Sequence, residues 1–131
     1  MFLGSYSPSF DKISRRVALP KKVRDYLAQN EVILSYGFEE CIFGFDLKDW
    51  EKQSERELEK PIHDKITRDL RRFLFAGAVN VELDDQGRIV LPGKLLEYAK
   101  IQRPVIIGCG DHFEIWDEVV WEKYKGTMDK K

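Results

Sequence analysis

Six basic residues, Lys12, Arg15, Arg16, Lys21, Lys22 and Arg24, lie between positions 12 and 24 with no acidic residue among them, although Asp11 and Asp25 bracket the run. Arginine presents a planar fork that can grip a phosphate or the O6/N7 edge of guanine. Lysine holds a phosphate as a point charge, which gives affinity and salt dependence without sequence choice. The chemistry open to such a run is recognition of a polyanion. The whole chain says less, because 22 Lys+Arg stand against 23 Asp+Glu and the formal net charge is -1. The positive patch is local.

The same pattern returns seven decades of residues later in a second copy. Phe10-Asp11-Lys12-Ile13-Ser14-Arg15-Arg16-Val17-Ala18-Leu19-Pro20-Lys21-Lys22 compares with Leu83-Asp84-Asp85-Gln86-Gly87-Arg88-Ile89-Val90-Leu91-Pro92-Gly93-Lys94. Both run apolar, Asp, a short polar turn, Arg, three apolar residues, Pro, then Lys two places on. Further on, Tyr26 answers Tyr98, Val32-Ile33-Leu34 answers Val105-Ile106-Ile107, and Asp46 through Lys52 answers Asp117 through Lys123. One module occurs twice.

Asp11 and Asp84 are turn formers, since a carboxylate can accept from nearby backbone N–H groups, and Gly87 supplies a positive φ. The second turn is therefore a tight hairpin. The first has Ser14 where a glycine is expected and one residue more before its proline, which predicts a four- or five-residue loop that needs no glycine. Strand alternation with Ile89 and Leu91 inward turns Arg88 outward. Counting back from Pro20 makes Arg16 the counterpart of Arg88; counting forward from Asp11 makes it Arg15. Taken singly, Asp and Arg across a turn form an ordinary solvated ion pair. Duplication and the acid-free run favour binding, with Arg15, Arg16 and Arg88 approaching bases and Lys12, Lys21, Lys22, Arg24 and Lys94 holding phosphates.

The elements that must position these side chains follow from punctuation and periodicity. Each proline opens a short helix, Lys21 to Ala28 and Gly93 to Lys100. Each helix gives way to a β-branched buried strand, Val32 to Tyr36 and Val105 to Ile107, and then to a shorter one, Cys41 to Phe45 and Phe113 to Trp116. Asp46 and Asp117 read as N-caps of helices carrying Trp50 and Trp121, which are taken as core anchors. Pro61 ends one helix and opens another whose Ile62, Ile66, Leu70, Phe73 and Leu74 share a face that should be buried. The resulting organisation is a first repeat at 1–52, linking helices at 53–76, a second repeat at 77–125 and a frayed tail at 126–131.

Other chemistries find little support. No serine or cysteine sits in a nucleophile motif, and Glu39-Glu40 and Asp84-Asp85 are adjacent turn carboxylates rather than an opposed acid/base pair, so no enzyme is expected. His63, read as solvated on its helix, and His112 have no partner at ligand spacing, and neither metal nor cofactor is expected. Gly108-Cys109-Gly110 is a loop rather than a phosphate cradle. Cys41 and Cys109 form no Cys-x-x-Cys pair and read as reduced, semi-buried residues. With 43% hydrophobic and 34% charged residues the chain can build a core. No basic leader or membrane-length apolar stretch is visible, which places it in the cytoplasm.

The opening Met1-Phe2-Leu3-Gly4-Ser5-Tyr6, the two Asp-to-Arg-to-Pro segments, Phe75-Ala76-Gly77-Ala78 and Phe113-Glu114-Ile115-Trp116-Asp117 together resemble the MraZ family over nearly the whole chain. The resemblance implies an α+β fold in which two swapped-hairpin repeats, similar to those of AbrB- and SpoVT-type regulators, form a small β-barrel with flanking helices. It further implies a nucleoid-associated, ring-like homo-oligomer that binds double-stranded promoter DNA and represses the cell-division and cell-wall gene cluster, its own gene included. The family pattern is Asp, two variable residues, Gly and Arg; the second copy matches it, and the first departs at Ser14 and by its added residue. A protein-interaction module similar to antitoxins is the alternative on the same fold.

Overall fold

The computed structural model describes residues 1–128. The first copy contributes β1 (Ser5–Tyr6), β2 (Phe10–Asp11), β3 (Arg16–Ala18), α1 (Lys21–Tyr26), β4 (Glu31–Tyr36), β5 (Ile42–Phe45) and α2 (Leu47–Leu58). After α3 (Lys65–Ala76) the second copy repeats the order with β6 (Val79–Glu82), β7 (Arg88–Val90), α4 (Gly93–Ala99), β8 (Pro104–Gly108), β9 (Phe113–Asp117) and α5 (Glu118–Thr127). Residues 126 and 127, assigned above to a frayed tail, thus close a helix, and 129–131 lie outside the described residues.

The strands form a six-stranded antiparallel sheet, β1-β8-β9-β5-β4-β6, and a three-stranded one, β2-β3-β7. The copies exchange strands. β1 of the first pairs with β8 of the second, β6 of the second pairs with β4 of the first, and β3 pairs with β7. The fold is α+β, but the two sheets do not close into the barrel that the resemblance implied. β1 and β2 at two of the sheet edges are only two residues long and cannot carry a continuous ladder around a closed surface.

Alternation along the strands divides the interior into two cores. Val32 and Leu34 of β4 join Val17, Leu19, Ile89, Leu91, Val23 and Leu95 in the core between the sheets and the two short helices. Ile33 points the other way, with Phe43, Phe45, Val105 and Trp116, where Trp50 and Trp121 cover the second core. A strand buried on both faces must be nearly continuously apolar, which explains the run Val32-Ile33-Leu34.

Three local expectations change. α1 stops at Tyr26, and the Ala28 N–H donates to Asp46 Oδ1 at 3.0 Å instead of continuing the helix. Asp46 therefore sits at the N-cap of α2 without capping it, whereas Asp117 accepts from Val119 and Val120 N–H as a cap should. Pro61 does not open α3, which begins at Lys65 with Asp64 Oδ1 accepting from Ile66 N–H. The buried stripe is consequently confined to the C-terminal half: Phe73 stacks on Tyr36, while Ile62 and Ile66 are 58% and 77% exposed. No helix among the described residues is long and apolar enough to cross a membrane.

Candidate nucleic-acid interface

The pairing of β3 with β7 fixes which arginines correspond. Arg16 faces Val90, Val17 faces Ile89 and Ala18 faces Arg88. Val17 and Ile89 thus meet on a local two-fold, which carries Arg16 onto Arg88 and Arg15 onto Gly87. The count from the prolines is the correct one. Val17 and Ile89 are fully buried, and the residues on either side point out of the sheet.

Arg15 stands at the glycine position of the first turn. Its φ is 60° against 73° for Gly87, and the two carbonyls accept equivalent bonds, from Leu91 N–H at 2.8 Å and from Leu19 N–H at 3.1 Å. The first turn is the expected four-residue loop, but it does need a left-handed residue and takes arginine there. A non-glycine residue in that region costs on the order of 1 kcal/mol or more. The added residue lies inside the turn rather than in the strand that follows.

Both aspartates organise their turns. Asp11 Oδ1 accepts from Ile13 N–H at 3.0 Å and more loosely from Ser14 N–H; Asp84 Oδ1 accepts from Gln86 and Arg88 N–H, each at 2.9 Å. Bonds from Ser14 and Ile13 hold the Asp11 carboxyl below its ordinary value. The Arg88 amide does the same for Asp84, against a smaller opposing effect of burial. The other oxygen of Asp84 draws together the two copies: Arg88 Nε lies 2.9 Å from Oδ2 and Arg16 Nε 3.7 Å from the same atom. The arginine side chains remain 34% and 39% exposed. Among the described residues their terminal nitrogens form no hydrogen bond, so each fork stays available to an acceptor from outside.

The remaining basic residues divide. The Arg15 guanidinium lies over Gly93 at the start of α4, where an added Cβ would come 2.8 Å from Nη1. Arg24 lies across Gly87, whose added Cβ would fall 2.5 Å from Arg24 Cδ, and its Nε donates to the Leu19 carbonyl at 3.1 Å. Lys21 pairs with Asp25 at 2.7 Å and Lys12 with Gln102 at 3.3 Å, both on the exposed surface. Lys22 and Lys94 hold equivalent helix positions but sit in separate grooves, the first beside Met1 to Gly4 and the second beside Tyr36 and Tyr98. The structure thus brings Arg15, Arg16, Arg24 and Arg88 around one ribbon and leaves the lysines around it. Sequence reasoning missed the bridging role of Asp84, because the contact to Arg16 crosses between copies.

One expectation is overturned away from this surface. His112 does have partners at ligand spacing: Cys109, His112 and Glu114 offer ligand atoms that all lie within 4.8 Å of one another. Cys109 is exposed rather than semi-buried, while Cys41 is fully enclosed and burial pushes its thiol far up. His63 is exposed, but in the turn before α3 rather than on a helix. The signal for the cluster was the spacing Cys109-x-x-His112-x-Glu114 across a hairpin turn.

Two interlocked copies of one hairpin unit, with arginines on the outer face of the ribbon they share, define a strand-swapped, internally duplicated protein. The family described as "MraZ protein, putative antitoxin-like" matches residues 1–73 and again 74–131. The chain belongs to the MraZ family. It is 41% identical over 127 residues to the transcriptional regulator MraZ of Acetivibrio thermocellus, covering 96% of this chain and 87% of that one. The protein of the same name from Roseiflexus castenholzii is 39% identical over 130 residues, covering 98% and 90%, and that of Caldicellulosiruptor saccharolyticus is 41% identical over 124, covering 94% and 85%.

Proposed function

We propose that this protein is a cytoplasmic, nucleoid-associated transcription regulator that binds double-stranded promoter DNA sequence-specifically. The observation that carries the reading is the convergence of Arg16 and Arg88 on Asp84 through Nε alone, which holds two guanidiniums side by side with their forks unbonded. β3 and β7, which carry Arg16 and Arg88, pair antiparallel within the three-stranded sheet, and the hairpin turns at its end are narrow enough to enter a major groove, where an arginine fork matches the O6/N7 edge of guanine. In this reading Arg15, whose guanidinium lies over Gly93, approaches bases from the first turn. Lys12, Lys21, Lys22, Arg24 and Lys94 then hold phosphates and set register. The names of the relatives support regulation of transcription.

The target and the sign of control follow the family resemblance: repression of the cell-division and cell-wall gene cluster, including the protein's own gene. Assembly into a ring fits the apolar side chains of Leu58, Ile62 and Ile66, which lie exposed at the junction of α2 and α3. Copies joined there would engage successive DNA repeats and multiply modest contacts through effective concentration.

The test is a salt-titrated anisotropy measurement on the DNA upstream of the protein's own gene beside a scrambled duplex. Specific binding is expected to be at least about 1000-fold the tighter. Charge reversal of Arg15 and Arg16 together is expected to abolish it. Equal affinities for the two duplexes would reduce the claim to nonspecific association, and intact binding by the double variant would remove these arginines from the interface.

A further inference from the structure

The turn between β8 and β9 places three different metal-ligating groups together. Cys109 N–H donates to the His112 carbonyl at 2.8 Å, so the chain reverses over Gly110, at φ 86°, and Asp111. This closes the gap between Cys109 and His112. Strand alternation then sets Glu114 and Trp116 on one face of β9, opposite Phe113 and Ile115 in the central core, with His112 immediately before the strand. Ligand atoms of Cys109, His112 and Glu114 all lie within 4.8 Å of one another, and His112 and Glu114 also line a cavity of about 390 Å³ walled by Phe43, Phe45 and Trp50.

The supports around two of these groups, His112 and Glu114, resemble those of metal ligands. His112 Nε2 lies 2.9 Å from Glu114 Oε2, and its Nδ1 lies 2.9 Å from Asp111 Oδ1. The other oxygen of Asp111 accepts from Gln53 Nε2 of α2 at 2.7 Å. The other oxygen of Glu114 accepts from Trp116 Nε1 at 2.9 Å. A ligating histidine characteristically donates its second N–H to a carboxylate, and a ligating carboxylate is itself hydrogen-bonded. The ring of His112 is further held between Phe43, at 4.8 Å, and Phe45, stacked at 5.4 Å.

We propose that Cys109, His112 and Glu114 form a binding site for a borderline divalent transition ion of the zinc class. The thiolate and imidazole exclude calcium and magnesium, which require oxygen ligands. Bonds of about 2.0–2.3 Å in a tetrahedron put ligand atoms about 3.3–3.8 Å apart. The ligand atoms already lie within 4.8 Å of one another, within reach of that spacing by side-chain rotation. Sγ of Cys109, Nε2 of His112 and Oε2 of Glu114 take three positions, and water takes the fourth. Binding displaces the protons on the Cys109 thiol and on His112 Nε2 to solvent, while the proton on Nδ1 stays there and is donated to Asp111 Oδ1. The ion thereby braces a turn that Asp111 and Gln53 already tie to α2.

The test uses the tag-free full chain titrated with Co(II) at neutral pH. The expected result is one ion per chain, with a near-ultraviolet thiolate-to-cobalt absorption and visible bands of tetrahedral intensity, both removed by added Zn(II). Cys41 is enclosed, so the thiolate band reports Cys109. C109S and H112Q, each checked for native far-ultraviolet dichroism, are expected to lose the spectrum. D111N is expected to keep it with affinity lowered about 10- to 100-fold. A wild-type chain with no thiolate band in excess Co(II), or a C109S chain that keeps it, would overturn the assignment.

Discussion

Arg15 and Gly87 hold the same place in the two turns, both in the left-handed region and both accepting an amide, from Leu91 and Leu19, just past the end of the opposite copy's strand. The equivalence makes opposite substitutions informative. G87A puts a Cβ at φ 73° and within 2.5 Å of Arg24 Cδ, and is expected to lower stability by about 1–3 kcal/mol. R15G relieves a similar backbone conformation and is expected to leave stability unchanged or raise it by up to about 1 kcal/mol, offset by the greater freedom of glycine in the unfolded chain. Urea midpoints of the two variants check both signs. A strongly destabilised R15G would mean that the guanidinium over Gly93 outweighs the strained backbone.

Asp84 is the only acidic group in direct contact with Arg16 and Arg88 among the described residues. D84N keeps the shape of the side chain and removes its charge. Affinity for scrambled DNA at low salt is expected to rise, because one repulsive charge leaves the face presented to phosphates. Preference for the cognate site is expected to fall, since the arginines lose the anchor that fixes their forks. Parallel anisotropy titrations on cognate and scrambled duplexes separate the two effects. A parallel loss on both duplexes would instead point to collapse of the turn.

Much of this ribbon was legible in the residues. The duplicated Asp-to-Arg-to-Pro segments, the inward Val17, Leu19, Ile89 and Leu91, and the outward Arg88 all follow from period-two alternation, which is a local property. The left-handed Arg15 was not legible, because the turn is closed by Leu91 N–H, a donor from the other copy. Strand exchange is equally invisible to periodicity, which assigns a face and never a partner. The helical spacing of Ile62 to Leu74 predicts one buried stripe, because periodicity alone does not say where along a helix the sheet ends. The cluster at Cys109 needed the hairpin reversal before its spacing meant anything.

His112 carries the pH prediction. Burial lowers its pKa, but hydrogen bonds with Cys109, Glu114 and Asp111 more than reverse this and raise it to about 10 from 6.5. Glu39 and Glu57 also line the cavity, and Glu57 is paired with Lys60 at 2.9 Å. A group raised in the folded state contributes stability in full below its unfolded pKa and loses it as pH rises through the folded one. Stability of the metal-free protein is therefore expected to decline between about pH 6.5 and pH 10, and H112Q is expected to flatten that slope. Urea denaturation in the presence of chelator across this window measures it. Equal slopes in the two proteins would assign the decline to other groups.

The local two-fold through Val17 and Ile89 distinguishes reading by the ribbon from attraction to a basic surface. Arg16 and Arg88 are related by it, share Asp84 and are exposed to similar degrees, so each should meet an equivalent base edge. R16A and R88A are each expected to lose about 1–3 kcal/mol of cognate binding, and the loss should be concentrated on the guanine that each one reads. K21A and K94A should instead weaken every duplex alike and reduce the dependence on salt by about one phosphate each. Anisotropy against duplexes altered one base pair at a time separates the two behaviours. If R16A and R88A weakened all of these duplexes equally, the ribbon would be a phosphate contact and the specificity would have to come from elsewhere in the assembly.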